Sequence, residues 1–560
     1  MFSILPGAMS QLAPLLKPVS VQHWHVLTAV IAIGLAWAFF TAFYNIYLHP
    51  LAHFPGPRLA AASKFWLAYQ EFVRGISLSD LRDELHAQYG DIVRLQPNLL
   101  HFANPHAYNE IYNVKNKWDK DTAVYRAFGM DESSACFVKY KDAKFRRDVL
   151  SPMFSRSSIL KMQDLIQERV NIFSGALAAK YAAGKSSNIY LGFRCFATDV
   201  LMHFCYDKSL EATRAPDFEA EIVLALDGMI PVLSLCKYSS VLAFLVHRFP
   251  AWLAKNAGSP VLAALFRLRK LLTAQIDAIL RNPSELELAA HPTIYHALLS
   301  PEANKGRPLP SRKSLMDEAG ILLGAGADTT GVALTTITHH VLHNPATLER
   351  LKAELRAAWP VLEDVPRYEM LEKLPYLTAV IKEGLRMFPS AIAHPRVVPQ
   401  GGAVISGSFI PSGVSRECFS FRHDVTTPRA AAAAAASPSS PFFWLVYIYS
   451  IVQTVVGQSF VFVHRSPIMY ERPEEFLPER WLGPEAKACE AALSVFSKGP
   501  RSCLGVNLAY IEMYTALAHL FRMFDPKLDE SRPTSLKIKE HFVPVFVGEP
   551  LHVYCRPVVE

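Results

Sequence analysis

Phe496-Ser497-Lys498-Gly499-Pro500-Arg501-Ser502-Cys503-Leu504-Gly505 is the stretch on which the reading of this chain turns. Its pattern is F-x-x-G-x-R-x-C-x-G, and a chance occurrence of the five fixed residues is of order 10⁻⁴ over a chain of this length. Gly499 and Gly505 allow a tight turn and a close approach of backbone to a flat partner. Leu504, Leu508 and Ile511 fall on one face at helical spacing, so a helix opens just behind Cys503. Sulfur at a helix N-terminus lies near free N–H groups and the positive end of the dipole, which favours the thiolate, the form that ligates metals. The plainer reading is a small buried cysteine beside a helix start.

The other cysteines point to no site. Cys136, Cys195, Cys205, Cys236, Cys418, Cys489 and Cys555 form no C-x-x-C pair and are sparse in 560 residues, which argues against a disulfide framework or zinc ribbon. The chain is 51% hydrophobic and 19% charged, so it can supply a large core. A net charge of +7, without dense Lys/Arg clusters, gives no basis for nucleic-acid binding.

Three further motifs sit on helical patterns. Ala325-Gly326-Ala327-Asp328-Thr329-Thr330 lies within a helix expected over residues 314–342 and ended before Pro345. A mid-helix Thr ordinarily bonds back to a carbonyl and bends the helix. Glu383 and Arg386 share a helix face at i, i+3; alone, such a pair is a solvated surface contact of little worth. Pro473-Glu474-Glu475-Phe476-Leu477-Pro478-Glu479-Arg480-Trp481 supplies a later arginine. Arg147 and Arg396 are weaker candidates, with a surface arginine as the plain alternative.

Taken together, these motifs resemble the cytochrome P450 family almost end to end. The resemblance implies a mainly α (α+β) cytochrome P450 fold that binds heme b, with Cys503 as the axial iron ligand and Phe496, Gly499 and Arg501 in the cofactor loop. It implies that Arg501, Arg147 and Arg396 meet the haem propionates, although the family's early W-x-x-x-R has no Trp in Ala143-Lys144-Phe145-Arg146-Arg147. It implies that Thr329 bonds iron-bound oxygen and that Asp328 relays protons. Glu383, Arg386 and Arg480 become a buried structural charge triad. The activity implied is monooxygenation (hydroxylation or epoxidation) of a lipophilic small molecule. Electrons come from NADPH-cytochrome P450 reductase, with cytochrome b5 as a further donor, since the chain has no flavin or nicotinamide domain. The style of Tyr44-Asn45-Ile46-Tyr47-Leu48-His49-Pro50-Leu51 is similar to filamentous-fungal, trichodiene-oxygenase-like members, which implies a terpenoid-like secondary metabolite. Two rivals stand beside it: a haem-thiolate isomerase or dehydratase, and an inactive product.

At the N-terminus, residues 26–48 run without a charge. At ~1.5 Å per residue this gives ~34 Å of helix, enough for a ~30 Å hydrocarbon layer. The run ends in Phe43, Tyr44 and Tyr47, which suit a membrane interface better than a signal-peptide cleavage site. Arg58, Lys64 and Arg74 follow it, against Lys17 alone before it, so the main domain is expected in the cytosol and residues 1–25 in the lumen of the endoplasmic reticulum. Residues 49–63, with Pro55-Gly56-Pro57, read as a hinge, and residues 64–560 as the haem domain. Strands are expected near 91–96, 397–410 and 541–554.

One segment does not fit. Residues 430–436 are seven alanines, followed by Ser437-Pro438-Ser439-Ser440-Pro441. Deleting residues 414–453 restores Ile410-Pro411-Ser412-Gly413 running into Thr454-Val455-Val456-Gly457-Gln458. The span is a whole number of codons, and Val-Ser and Gln can encode splice-site sequences. The segment is therefore expected to be a retained intron.

Overall fold

The apolar N-terminal run forms helix α1, Val21–Phe43, continued by one wide turn, Tyr44–Leu48. Between Thr28 and Phe40 its side chains are exposed, as Ile33 and Phe39 show. The stretch Thr28–Leu48 has a mean hydropathy of 1.8 and is long and apolar enough to cross a membrane. His49-Pro50 ends it, because proline has no N–H to continue the ladder. Asn45, buried at its foot, donates to the Ala62 carbonyl at 3.0 Å and ties the helix to the domain. A computed structural model describes residues 21–248, 260–389, 394–413, 453–532, 536–540, 544–548 and 551–559. The expectations for residues 1–20 and for the body of the 414–453 segment lie outside these.

The domain is mainly helical. The elements used below are α2 (Tyr140–Leu150), α3 (Gln163–Ala182), α4 (Ile189–Tyr206), α5 (Glu221–Cys236), α6 (Ser240–His247), α7 (Arg312–Leu342), α8 (Pro375–Arg386) and α9 (Val506–Met523). Helix α7 is capped by Ser311, whose hydroxyl accepts from Ser314 N–H. It is apolar enough to resemble a membrane span, but its middle is buried by α4, α8 and α9. α4 is buried along nearly its whole length, and its buried polar side chains Arg194, Thr198 and Asp199 each have hydrogen-bond partners. The two approach closely because position 331 is glycine: a Cβ there would land inside the Arg194 side chain.

Strands β1 (Ile92–Gln96), β2 (Leu99–Phe102), β3 (Arg396–Val397) and β4 (Val455–Gly457) form one sheet in the order β1-β2-β4-β3. β2 and β4 run parallel, with Leu99 opposite Val455. The expected 397–410 strand is three shorter ones: β3 and a hairpin of Ala403–Ile405 with Ser408–Ile410. Gly402 and Gly407, both at positive φ, make the turns that divide it. The flanks of the unusual segment meet: Gly413 pairs with Gln453 as an antiparallel bridge, and Thr454 N–H donates to Ser412 O at 3.3 Å.

Candidate active site

The cysteine loop folds back on itself, with Cys503 N–H donating to Phe496 O at 2.8 Å. Phe496 packs on the core beside Tyr510, the ring centroids 5.4 Å apart. Gly499 has φ +74°, and a Cβ there would sit 2.6 Å from the Tyr112 carbonyl oxygen. Its role is therefore to let the loop lie on the 112–113 backbone, a protein surface rather than the flat partner expected from the sequence. At Gly505 a Cβ would touch nothing within 4 Å.

Of the seven described cysteines, Cys503 alone is exposed. Its surroundings are nevertheless dense enough that burial pushes its thiol up, while the Gly505 N–H and Arg147 pull it back. The Gly505 N–H belongs to the N-cap of α9, so the helix start acts on the sulfur in the expected direction while burial opposes it. A cation at the sulfur would ionise it.

Four cations gather beside this loop. Arg147 feels the Cys503 sulfur, and Arg501 and Lys120 each feel Arg396 and Arg147. Arg501 donates only to backbone oxygens, Phe137 O at 3.0 Å and Val138 O at 3.1 Å, and its Nε has no partner. Lys120 Nζ bonds Ala135 O at 2.5 Å, and Arg396 bonds His394 O at 3.0 Å. Among the described residues, no carboxylate comes within ion-pair distance of any of the four. Burial and the neighbouring arginines push Lys120 well below its ordinary range. Such a cluster is costly unless it receives an anion. A flat ligand with two carboxylates and a metal for the sulfur meets all these conditions, and a haem is such a ligand. Lys120 carries no sequence motif, and the sequence reading missed it. Arg146, next to the expected Arg147, points the other way and pairs with buried Glu318 at 3.0 Å.

On α7 the two motif residues part. Thr329 Oγ1 donates to Ala325 O at 2.8 Å, and both lie on an accessible strip of an otherwise buried helix. The helix runs unbroken through the motif. Asp328 is buried on another face against α4, where Arg194 Nε and Nη2 reach its Oδ1 at 2.9 and 2.5 Å. Arg194 Nη1 also bonds Asp227 of α5 at 2.7 Å, and Asp227 is 28% exposed. Burial pushes the Asp328 carboxyl up and Arg194 draws it back. The sequence gives no signal for this Asp328–Arg194–Asp227 chain. The next residue, Thr330, bonds the buried carboxyl of Glu512 on α9. Among the described residues Glu512 has no cationic partner and its Oε1 is unpartnered, and burial pushes it up to about 8.

The expected triad is assembled and closed. Arg386 Nε and Nη2 bond Glu383 at 3.0 and 2.9 Å, and Arg480 Nε reaches it at 3.1 Å. Trp481 Nε1 and Leu477 N–H complete the carboxylate at 2.9 and 2.8 Å. The remaining Arg386 donors go to the carbonyls of His464, Pro473 and Glu475.

Comparison with known proteins gives the family. The chain is 32% identical to cytochrome P450 monooxygenase flvC of Aspergillus flavus over 566 residues, covering 94% of this chain and 96% of that protein. It is also 32% identical to cytochrome P450 monooxygenase macH of Penicillium terrestre, covering 96% and 98%. N-acetyltryptophan 6-hydroxylase ivoC of Emericella nidulans is 29% identical, covering 91% and 92%. The crystal structure of a cytochrome P450DA heme domain superposes with a TM-score of 0.66 at 16% identity, covering 88% of this chain and 95% of that one. The family model described as Cytochrome P450 matches residues 62–415 and 453–552. This chain belongs to the cytochrome P450 family and is one of its monooxygenases.

Proposed function

We propose that Cys503 ligates the iron of a heme b, and that the enzyme inserts one oxygen atom into a lipophilic intermediate of fungal secondary metabolism. The observation that carries this is the exposed Cys503 beside four cations that have no carboxylate partner among the described residues. Bound there, a haem iron supplies oxygen activation, which a thiolate ligand favours. Lys120, Arg147, Arg396 and Arg501 hold the propionates. Thr329, released from Ala325 O, would have its hydroxyl proton free to donate into the site. Asp328 holds the next proton, Arg194 orients its carboxylate, and Asp227 is the end that meets water. Atoms balance as R–H plus O2, two electrons and two protons giving R–OH and water. The electrons come from NADPH-cytochrome P450 reductase, with cytochrome b5 as a further donor, at the endoplasmic reticulum membrane.

A terpenoid-like substrate fits the N-terminal style of the sequence. The name of ivoC, which specifies an N-acetylated tryptophan, widens the class to aromatic intermediates. The test is Thr329→Ala: NADPH consumption continues while product falls and peroxide rises. If product and coupling are untouched, the isomerase or dehydratase reading gains, because that chemistry needs no oxygen-side proton.

Residues 414–453 are, in this reading, a retained intron. The family match breaks between 415 and 453, and Thr454 N–H donates to Ser412 O, so the two ends that the deletion would join lie side by side. Sequencing the mature transcript decides it: codons for the alanine run in that message refute the intron.

A further inference from the structure

The end of α7 reads Thr338-His339-His340-Val341-Leu342-His343, followed by Asn344 and Pro345. None of its histidines takes part in the oxygen chemistry. Positions i and i+4 share a helix face. His339 and His343 accordingly lie one turn apart, with ring centroids 4.0 Å apart at an interplanar angle of 37°. His343 is exposed and His339 half-buried, so the pair opens to solvent.

The ring nitrogens suit a metal. His343 Nδ1 lies 2.8 Å from His339 O. A carbonyl only accepts, so Nδ1 carries the proton and Nε2 keeps its lone pair. Metal-bound histidines are held in this way, with the second nitrogen donating to a carbonyl. His339 Nδ1 is buried and has no hydrogen-bond partner among the described residues, so no bond there opposes either tautomer. Burial, with His343 and His340 beside it, pushes His339 down to about 3, so its ring is neutral, the form that ligates. The C-terminal end of a helix also favours a cation, through its dipole and free carbonyls.

His340 is engaged elsewhere. Its ring stacks on Phe476, with centroids 4.9 Å apart and planes 7° from parallel. The residues on either side of Phe476 belong to the closed charge cluster. Glu475 O accepts from Arg386 at 3.0 Å, and Leu477 N–H donates to Glu383 at 2.8 Å. The turn that carries the histidine pair is thus the one that abuts the triad. No third His, Cys, Asp or Glu among the described residues converges on the pair, so water completes the coordination of any ion held there.

We propose that His339 and His343 chelate one divalent transition-metal ion of the class that prefers imidazole (copper, nickel or zinc), and that the ion clamps the last turn of α7. The site is separate from the oxygen chemistry, ~15 Å along α7 from Thr329. The test is made on the full haem-loaded chain without a histidine tag, titrated by calorimetry with CuCl2, NiCl2, ZnSO4 and MgCl2. One copper ion binds per chain, more tightly than nickel or zinc, and magnesium does not bind. The haem band stays in place, and zinc slows hydrogen exchange at the last-turn amides of α7. His343→Gln, whose amide can still donate to His339 O, weakens copper binding by more than about ten-fold, the least that even an outer-shell change costs a metal site. His339→Gln does the same, and His340→Gln keeps the parent's affinity. Equal affinity in His343→Gln, or its loss in His340→Gln, overturns the pair. A parent that binds no copper overturns the site. A haem band that moves with the metal puts the ion at Cys503 and overturns it too. Unslowed exchange in the zinc-bound parent overturns the clamp.

Discussion

Glu383 and Arg501 both sit among buried arginines, in opposite circumstances. Around Glu383 each charge is answered: two arginines, an indole and a backbone N–H converge on one carboxylate. Around Arg501 three more cations gather and no carboxylate among the described residues is within pairing distance. A closed cluster stabilises the chain as it stands. An open one is stable only with a ligand, so the contrast separates scaffold from site.

The largest effect comes from breaking the closed cluster. Glu383→Ala strands two buried guanidinium groups and is expected to cost ~3–5 kcal/mol. The yield of folded, haem-loaded protein reads it; a parent-like yield and denaturation midpoint would place Glu383 outside the scaffold.

Glu512 sharpens the comparison, as a buried carboxyl without an arginine. Its folded pKa, about 8 against a usual 4.5, lies above the unfolded one. The folded state therefore keeps a proton that the unfolded state loses, and stability falls as pH rises from about 4.5 to about 8, then levels off. At ~1.4 kcal/mol per unit this amounts to several kcal/mol. Glu512→Gln removes that slope, so the variant gains on the parent between pH 5 and 8. Parallel stability curves over that range would contradict it.

In the open cluster the sign reverses. Lys120→Met relieves repulsion from Arg396, Arg501 and Arg147, and is expected to stabilise the haem-free chain by ~1–2 kcal/mol. The same change weakens haem retention about ten-fold, measured by transfer to apomyoglobin. A variant less stable without haem would mean that Lys120 belongs to the scaffold.

The smallest effect is on the proton route. Arg194→Lys keeps a positive charge but loses the fork that spans Asp328 and Asp227. Turnover is expected to slow about five-fold, with a larger solvent isotope effect. An isotope effect equal to the parent's would make the pair purely structural.

Much of this was legible in the sequence because it is local. Phe496 to Gly505, the Glu383–Arg386 spacing and the apolar run before His49 each carry their meaning within a few turns of chain. The missed residues are defined by distant partners. Nothing near Lys120 says that it will meet arginines at 147, 396 and 501. Nothing near Arg194 says that glycine at 331 lets it reach Asp328. The choice between Arg146 and Arg147 likewise depends on Glu318, more than 170 residues away. At Cys503 the helix start pulls the thiol down through the Gly505 N–H, while desolvation by the surrounding fold, which no local pattern announces, pushes it up.

The central claim is that Cys503 sulfur holds the iron, and the reduced carbon-monoxide difference spectrum of Cys503→Ala beside its parent, both lacking residues 414–453, tests it most directly. The parent should show the thiolate-type band and the variant should lose it together with product formation. The same band and undiminished turnover in the variant would contradict the assignment.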